Sequence, residues 1–111
     1  MSKAQRTKGA VWEREVARRF AEALPNSGAK RGLGQARSAS EVADVDVPCF
    51  WVEAKHHKLV RPGAALDQAV EASEGSTKWP VAIIKQNRRE PFVCMRLDDF
   101  LDLAGEWWER R

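Results

Sequence analysis

The chain has 111 residues, of which 43% are hydrophobic and 32% are charged, and its net charge at pH 7 is +3. This length fits one domain with a modest core, and no apolar run approaches the ~20 residues that a membrane helix needs. The charge is uneven: residues 1–40 carry nine basic and three acidic side chains, whereas residues 97–111 carry two and five. A basic first third is typical of proteins that bind nucleic acid, although a well-solvated surface would give the same composition.

An amphipathic helix is predicted from Gly9 to Leu24. At 100° per residue its apolar positions form one stripe, and a PNSG turn ends it. These positions are Trp12, Val16, Phe20 and Leu24. Glu13 falls inside the stripe, where a carboxylate needs a partner. Either it reaches water or an arginine, or the helix supplies it to a site on the neighbouring sheet.

The remaining pattern predicts strands and two more helices. Residues 29–43 are glycine-rich and basic, and they suit a loop or a short edge strand. Further strands are predicted at Asp44–Val47, Phe50–Lys55, Pro80–Ile84 and Pro91–Leu97. One helix should begin at Pro62 and close at Gly75, and another should run from about Asp98 to Arg111. The order α-β-β-β-α-β-β-α predicts an α/β domain with a mixed central sheet flanked by helices.

Two cysteines, Cys49 and Cys94, lie in apolar runs without metal-ligand spacing or a secreted disulfide framework. We expect both to be buried free thiols in a reducing compartment. The N-terminal residues MSKAQRTKGA are basic but lack the apolar core of a signal peptide. We therefore expect a cytoplasmic protein with no membrane partner.

Charged side chains interrupt two consecutive strands. Alternate strand residues share a face, so Glu53 and Lys55 lie side by side, and Asp44 and Asp46 share a face of the preceding strand. A short turn would bring one of these aspartates beside Glu53. Adjacent carboxylates repel unless a cation lies between them, and Mg²⁺ often binds one or two carboxylates plus a substrate phosphate. The pattern favours a magnesium site, and an ordinary ion pair at a strand end is the alternative.

Asp44…Glu53-Ala54-Lys55 resembles the PD-(D/E)XK nuclease superfamily. The N-terminal half is similar more specifically to archaeal-type Holliday junction resolvases and their phage relatives. Their K-G-x-x-x-E-R-E motif matches KGAVWERE at residues 8–15, and their R-S-A-G-S-like stretch matches RSAS at residues 37–40. The resemblance covers roughly residues 8–85 and implies that residues 1–111 form one nuclease domain with a restriction-endonuclease-like core. Ala43 replaces the superfamily's proline.

The resemblance implies a catalytic set of Glu13, Asp44, Glu53 and Lys55. Asp44, Glu53 and Glu13 would be the metal ligands, with Asp46 as a rival to Asp44. The metal would be Mg²⁺, with Mn²⁺ as a substitute. His56 and His57 face opposite ways as strand neighbours, so we expect phosphate contact or solvation rather than metal ligation. The expected DNA-binding residues are Lys8, Arg14, Lys30, Arg31, Arg37, Ser38, Lys58, Gln68 and Lys85.

The expected function is a Mg²⁺-dependent DNA endonuclease that resolves branched DNA such as four-way junctions. The resemblance also implies a homodimer, because cutting two strands of a junction needs two active sites. The last helix, with Trp107 and Trp108, is the candidate contact. The alternatives are a nuclease for duplex, nicked or single-stranded DNA in the same fold, or a DNA-binding module whose acidic set is structural.

Overall fold

The structure is a computed structural model that describes residues 2–32 and 42–111. Its elements occur in the predicted order, and the fold is an α/β fold compatible with a restriction-endonuclease-like core. The elements are α1 (Lys3–Ala23), β1 (Lys30–Arg31), β2 (Val45–Asp46), β3 (Phe50–His56), α2 (Pro62–Ala72), β4 (Trp79–Lys85), β5 (Phe92–Cys94) and α3 (Leu97–Arg110). In these described ranges, no helix is both long and apolar enough to cross a membrane.

The five strands form one mixed sheet in the order β1-β2-β3-β4-β5. Only the β3–β4 pair is parallel, and α2 supplies the crossover that a parallel pair requires. Helix α1 packs on one face of the sheet and α2 on the other. Strands β3 and β4 are therefore covered on both sides, and Val52 and Ile84 are fully buried. The Trp12 indole of α1 donates a hydrogen bond to the Ile83 carbonyl, 3.3 Å away, and joins helix to sheet.

Helix α1 begins six residues before the predicted start. Ser2 forms a capping box: its hydroxyl accepts from the Gln5 N–H, and the Gln5 side chain accepts from the Ser2 N–H. This reciprocal pairing satisfies two N–H groups that a helix start leaves unpaired. Residues 3–8 carry no apolar stripe, so the periodicity missed them. As a result Lys8 lies on the helix rather than before it.

The expectation of two buried thiols is wrong for Cys49. Cys49 follows Pro48 in the β2–β3 turn with φ +73°, and it is exposed. The turn needs a left-handed residue at this point and directs the side chain to solvent. Cys94 is half-buried on β5, and both thiols are free.

Candidate active site

The register between β2 and β3 brings two carboxyl groups together. Val45 pairs with Val52, so Asp44 comes opposite Glu53, and the Asp44 N–H donates to the Val52 carbonyl at 2.9 Å. Val45 and Val52 point into the core under α1. By strand alternation, Asp44 and Glu53 point to the other face, the one covered by α2. There the Asp44 carboxyl group lies close enough to Glu53 to raise the pKa of the Glu53 carboxyl group.

The orientation of the Asp44 carboxylate is fixed by the backbone of β3. The Ala54 N–H donates to Asp44 Oδ2 at 2.9 Å. This N–H lies between Glu53 and Lys55 in the chain, so Asp44 is tied to the residue at the centre of the E-x-K motif. A hydrogen bond to an ionised acceptor is stronger than a neutral one. The Asp44 carboxylate is therefore held in a fixed direction beside Glu53, where its oxygens can act as ligands for a cation.

Glu53 is 5% exposed, and its pKa is raised from about 4.5 to about 7. Burial is the largest cause, followed by the charge and the hydrogen bond of Asp44. Lys55, half-buried on the same face of β3, acts in the opposite direction, as does the Trp51 indole. Two carboxylates this close favour a bound cation, which would relieve both the burial cost and the repulsion.

Trp51 is a member of this face that the sequence motifs did not assign. Its Nε1 is buried and has no hydrogen-bond partner of normal geometry in the described part of the chain. It is near enough to Glu53 to favour the ionised carboxylate. Buried indole N–H groups usually find a partner. The available signal was the alternation that puts Trp51, Glu53 and Lys55 on one face.

The two other proposed carboxylates lie elsewhere. Asp46 is opposite Trp51 and is exposed, with its Oδ1 3.6 Å from Lys78 Nζ. Glu13 is half-buried on α1, on the opposite side of the sheet, and its Oε1 accepts from Arg31 Nε at 2.8 Å. Across residues 2–32 and 42–111 no three acidic, histidine or cysteine side chains come together as a metal-ligand set. The site is built on a pair of carboxylates.

Oxygen ligands of this kind suit Mg²⁺, which commonly takes one or two carboxylates and completes its octahedron with waters and substrate phosphate. The carboxyl pair, with Glu53 buried and Asp44 half-buried beside it, fits such an ion because a cation would offset their mutual repulsion. Those two residues would hold it. Glu13 lies on the opposite side of the sheet and is paired with Arg31, so the described arrangement does not bring it to these two carboxyl groups.

Three basic side chains, Lys8, His56 and Lys85, lie near one another at the C-terminal ends of β3 and β4. His56 is paired with Lys85 in the sheet register. The Lys85 Nζ lies 5.4 Å from the centroid of the Trp12 ring, and the His56 ring lies 6.1 Å from it. Burial, then the positive charges of Lys8, Lys85 and His57, lower the pKa of His56. We call Lys8, His56 and Lys85 the basic cluster. It lies on the α1 face, only a few residues along β3 from Glu53.

The other residues predicted to bind DNA are dispersed. Arg31 is engaged with Glu13, and Arg37 and Ser38 lie outside the described residues. Four further candidates are exposed, on α1, β1, the β3–α2 loop and α2: Arg14, Lys30, Lys58 and Gln68. These four are spread over separate elements, so they do not define one binding surface in the way that the basic cluster does.

Residues 4–109 match a family described as phage putative PDDEXK endonuclease. The chain belongs to this family. The comparisons with curated proteins and with solved structures found no significant match. The match spans nearly the whole chain and supports the PD-(D/E)XK superfamily, so the chain is a nuclease of the PDDEXK type.

The buried carboxylate pair makes the stability of the fold pH-dependent. Glu53 has a raised pKa, so its ionisation penalises the folded state. The penalty is absent below about pH 4.5, where Glu53 is protonated in both states, and complete above about pH 7. Relative to the wild type, Glu53→Gln should therefore gain about 3 kcal/mol in free energy of unfolding between pH 4 and pH 8. Denaturant titrations in EDTA would measure this.

A second variant separates the causes. In an Asp44→Asn background the gain from Glu53→Gln should be smaller but not zero, because burial remains after the neighbouring charge is removed. A gain that does not change with pH would contradict the placement of Glu53 in a buried pair.

Proposed function

We propose that this nuclease is a Mg²⁺-dependent DNA endonuclease that hydrolyses phosphodiester bonds, with branched DNA as its first candidate substrate. The observation that carries the proposal is the buried Glu53 carboxyl group, held beside the half-buried Asp44 carboxyl group and near Lys55. A purely structural acidic set gains nothing from placing two carboxyls in contact at a cost in stability. A metal-dependent nuclease gains a binding site for its ion.

Each residue of this face has a role in the proposed chemistry. Asp44 and Glu53 would hold the ion, which when bound lowers the pKa of a coordinated water and polarises the phosphate. The Ala54 N–H fixes the direction of the Asp44 carboxylate. The Lys55 ammonium, on the same face of β3, would stabilise negative charge that develops on the scissile phosphate. The Trp51 N–H favours the ionised state that Glu53 needs as a ligand.

The DNA interface is proposed at the end of the sheet where β3 and β4 terminate. The carboxyl pair lies on one face of the sheet, with Glu53 three residues before the end of β3, and the basic cluster lies on the other face. DNA lying across this end would present one phosphate to the carboxyl pair and a nearby one to Lys8 and Lys85. Trp12 supports Lys85 by a cation–π contact.

The cellular setting that we propose for this activity is a prokaryotic cell or a phage-infected host.

Conservative substitutions test the catalytic assignment. Glu53→Gln, Asp44→Asn and Lys55→Ala should each reduce the cleavage rate about 100-fold or more, because the first two weaken the proposed metal site and the third removes a charge that stabilises the reacting phosphate. Asp46→Asn is the matched control, because Asp46 lies two residues after Asp44 in the chain. Its cleavage rate should stay within about threefold of the wild-type rate. Single-turnover cleavage of labelled DNA would give the rates.

DNA binding should survive these changes. If Glu53→Gln cleaves normally, or if Asp46→Asn is inactive while Asp44→Asn is not, the assignment of the carboxyl pair is wrong. A wild type that binds DNA but takes up no Mn²⁺ or Mg²⁺ in calorimetry, with DNA present, would instead favour the non-catalytic DNA-binding module.

The basic cluster predicts a specific salt dependence. In a Glu53→Gln background, which prevents cutting, Lys8→Gln or Lys85→Gln should each reduce the slope of log Kobs against log salt by about 0.9 for each phosphate that the variant no longer neutralises. Lys78→Gln is the control, since Lys78 lies before the start of β4, at the opposite end, and pairs with Asp46. Fluorescence anisotropy titrations at several salt concentrations would measure the slope for each variant. Equal slopes for all three variants would remove the cluster from the interface.

A substrate panel decides between branched DNA and the alternatives. An immobile four-way junction, its component duplex, a nicked duplex and a single strand would be compared with Mg²⁺ and then with EDTA. Paired, symmetric nicks confined to the junction are expected of a resolvase. If the duplex is cut at the same rate as the junction, the protein is still an endonuclease, but its substrate includes unbranched DNA.

A further inference from the structure

Helix α3 has an apolar face that nothing in the described chain covers. The helix has no buried residue. Trp107 and Trp108 are 65% and 61% exposed, and Leu97, Phe100 and Leu101 are also more than half exposed. Its first turn lies beside α2 and β5, in a shallow cleft that includes Leu97 and Phe100. The second half, with both tryptophans, extends beyond it.

A second apolar surface is open on the other side of the sheet. Helix α1 packs mainly over β1, β2 and β3, which leaves the α1 face of β5 uncovered. Val93, paired with Ile83 in the register, is 58% exposed there. The result is a groove of about 270 Å³ between α1 and β5. We call it the α1–β5 groove; its apolar lining includes Trp12, Val16, Phe20, Ile83, Phe92 and Val93.

The apolar face of α3 is large enough to form an interface. An aromatic side chain buries about 150–250 Å², so the three aromatics of α3 at their observed exposure offer roughly 250–450 Å² per chain. Apolar patches of a few hundred Å² mark interaction sites on soluble proteins. With an equal area buried on the groove side, two symmetric contacts would bury roughly 1,000–1,800 Å² in total, which reaches the range of specific protein interfaces, about 1,200–2,000 Å².

The charges of the two surfaces match. Residues 97–111 carry five acidic and two basic side chains. Amphipathic helices that bind anionic lipid or nucleic acid carry Lys and Arg instead, so α3 fits neither. Arg19 lines the α1–β5 groove, and the guanidinium of Arg89 lies 5.6 Å from the ring centroid of Phe92, a lining residue. An acidic helix with aromatic anchors suits a groove with these two arginines.

We propose that the occupant is a second copy of this chain, with α3 of each copy laid in the α1–β5 groove of the other. The exchange is isologous, because both copies give a helix and receive one, and it closes as a two-fold dimer. It covers both open apolar surfaces at once. At 1.5 Å per residue, α3 is about 20 Å long, long enough for its second half to reach a neighbouring chain. The proposal does not rest on the nuclease function.

Intersubunit complementation tests this arrangement. Val93→Glu damages the groove but also changes the cleft at the first turn of α3, so Arg19→Glu, which lines the groove and not that cleft, is tested beside it. Trp107→Ala with Trp108→Ala damages only the helix. Each variant alone has two damaged contacts per dimer, and its dimer Kd should rise about 30-fold or more. A one-to-one mixture has one intact contact, from the undamaged helix to the undamaged groove. Sedimentation velocity should show the wild type as a dimer, each variant as a monomer, and the mixture as a dimer of intermediate affinity.

Controls separate association from folding. Val11→Glu introduces the same charge at an exposed site on α1 and should leave the dimer intact. Arg19→Glu, at the exposed border of the groove, gives a second groove variant if Val93→Glu does not fold. Circular dichroism would verify each fold. No DNA or metal is needed, so this test is independent of cleavage.

Three results would overturn the proposal. A monomeric wild type would mean that a second copy does not occupy these surfaces. A Val93→Glu variant that remains dimeric would mean that α3 pairs elsewhere, for instance with α3 of the partner. A mixture that associates no better than either variant alone would exclude the reciprocal exchange.

Discussion

The pairing of β2 with β3 is the constraint on which the site depends. Side chains alternate along a strand, so a slip of one residue would turn Asp44 away from Glu53 and into the α1 core. The register is held by apolar burial: Val45 and Val52 are both inaccessible to solvent on the α1 side. The parallel pairing of β3 with β4, covered on both faces, keeps β3 central and rigid. The carboxyl pair is thus positioned by hydrophobic residues on the opposite side of the same strands.

This positioning has a cost in stability. Burying Glu53 beside Asp44 disfavours its ionised form, as its raised pKa records. The cost is sustained because the surrounding core is well packed, with Val81, Ala82 and Ile84 of β4 almost completely buried. Functional sites often hold such unfavourable arrangements that the scaffold over-determines.

Sequence patterns predicted the order of the elements and that either Asp44 or Asp46 would lie beside Glu53, because alternation and short turns are local properties; the family resemblance favoured Asp44. Three features depended on information that periodicity does not carry. The start of α1 is decided by the Ser2–Gln5 capping box within a polar segment. The partner of Glu13 is Arg31, on a strand of only two residues. The apolar stripe of α3 was detected, but a pattern cannot say whether its partner lies in the same chain, and here the helix buries nothing.

The basic and acidic parts of the sequence belong to different parts of the fold. The basic first third contributes Lys8 to the end of the sheet where β3 and β4 terminate, beside Lys85 and the carboxyl pair. The acidic last helix would repel a phosphate backbone that came close to it. A helix that is both acidic and apolar on one face is unsuited to DNA and suited to protein. The two proposals therefore give the asymmetry of the linear sequence a structural interpretation, in which the basic part serves DNA and the acidic helix serves association.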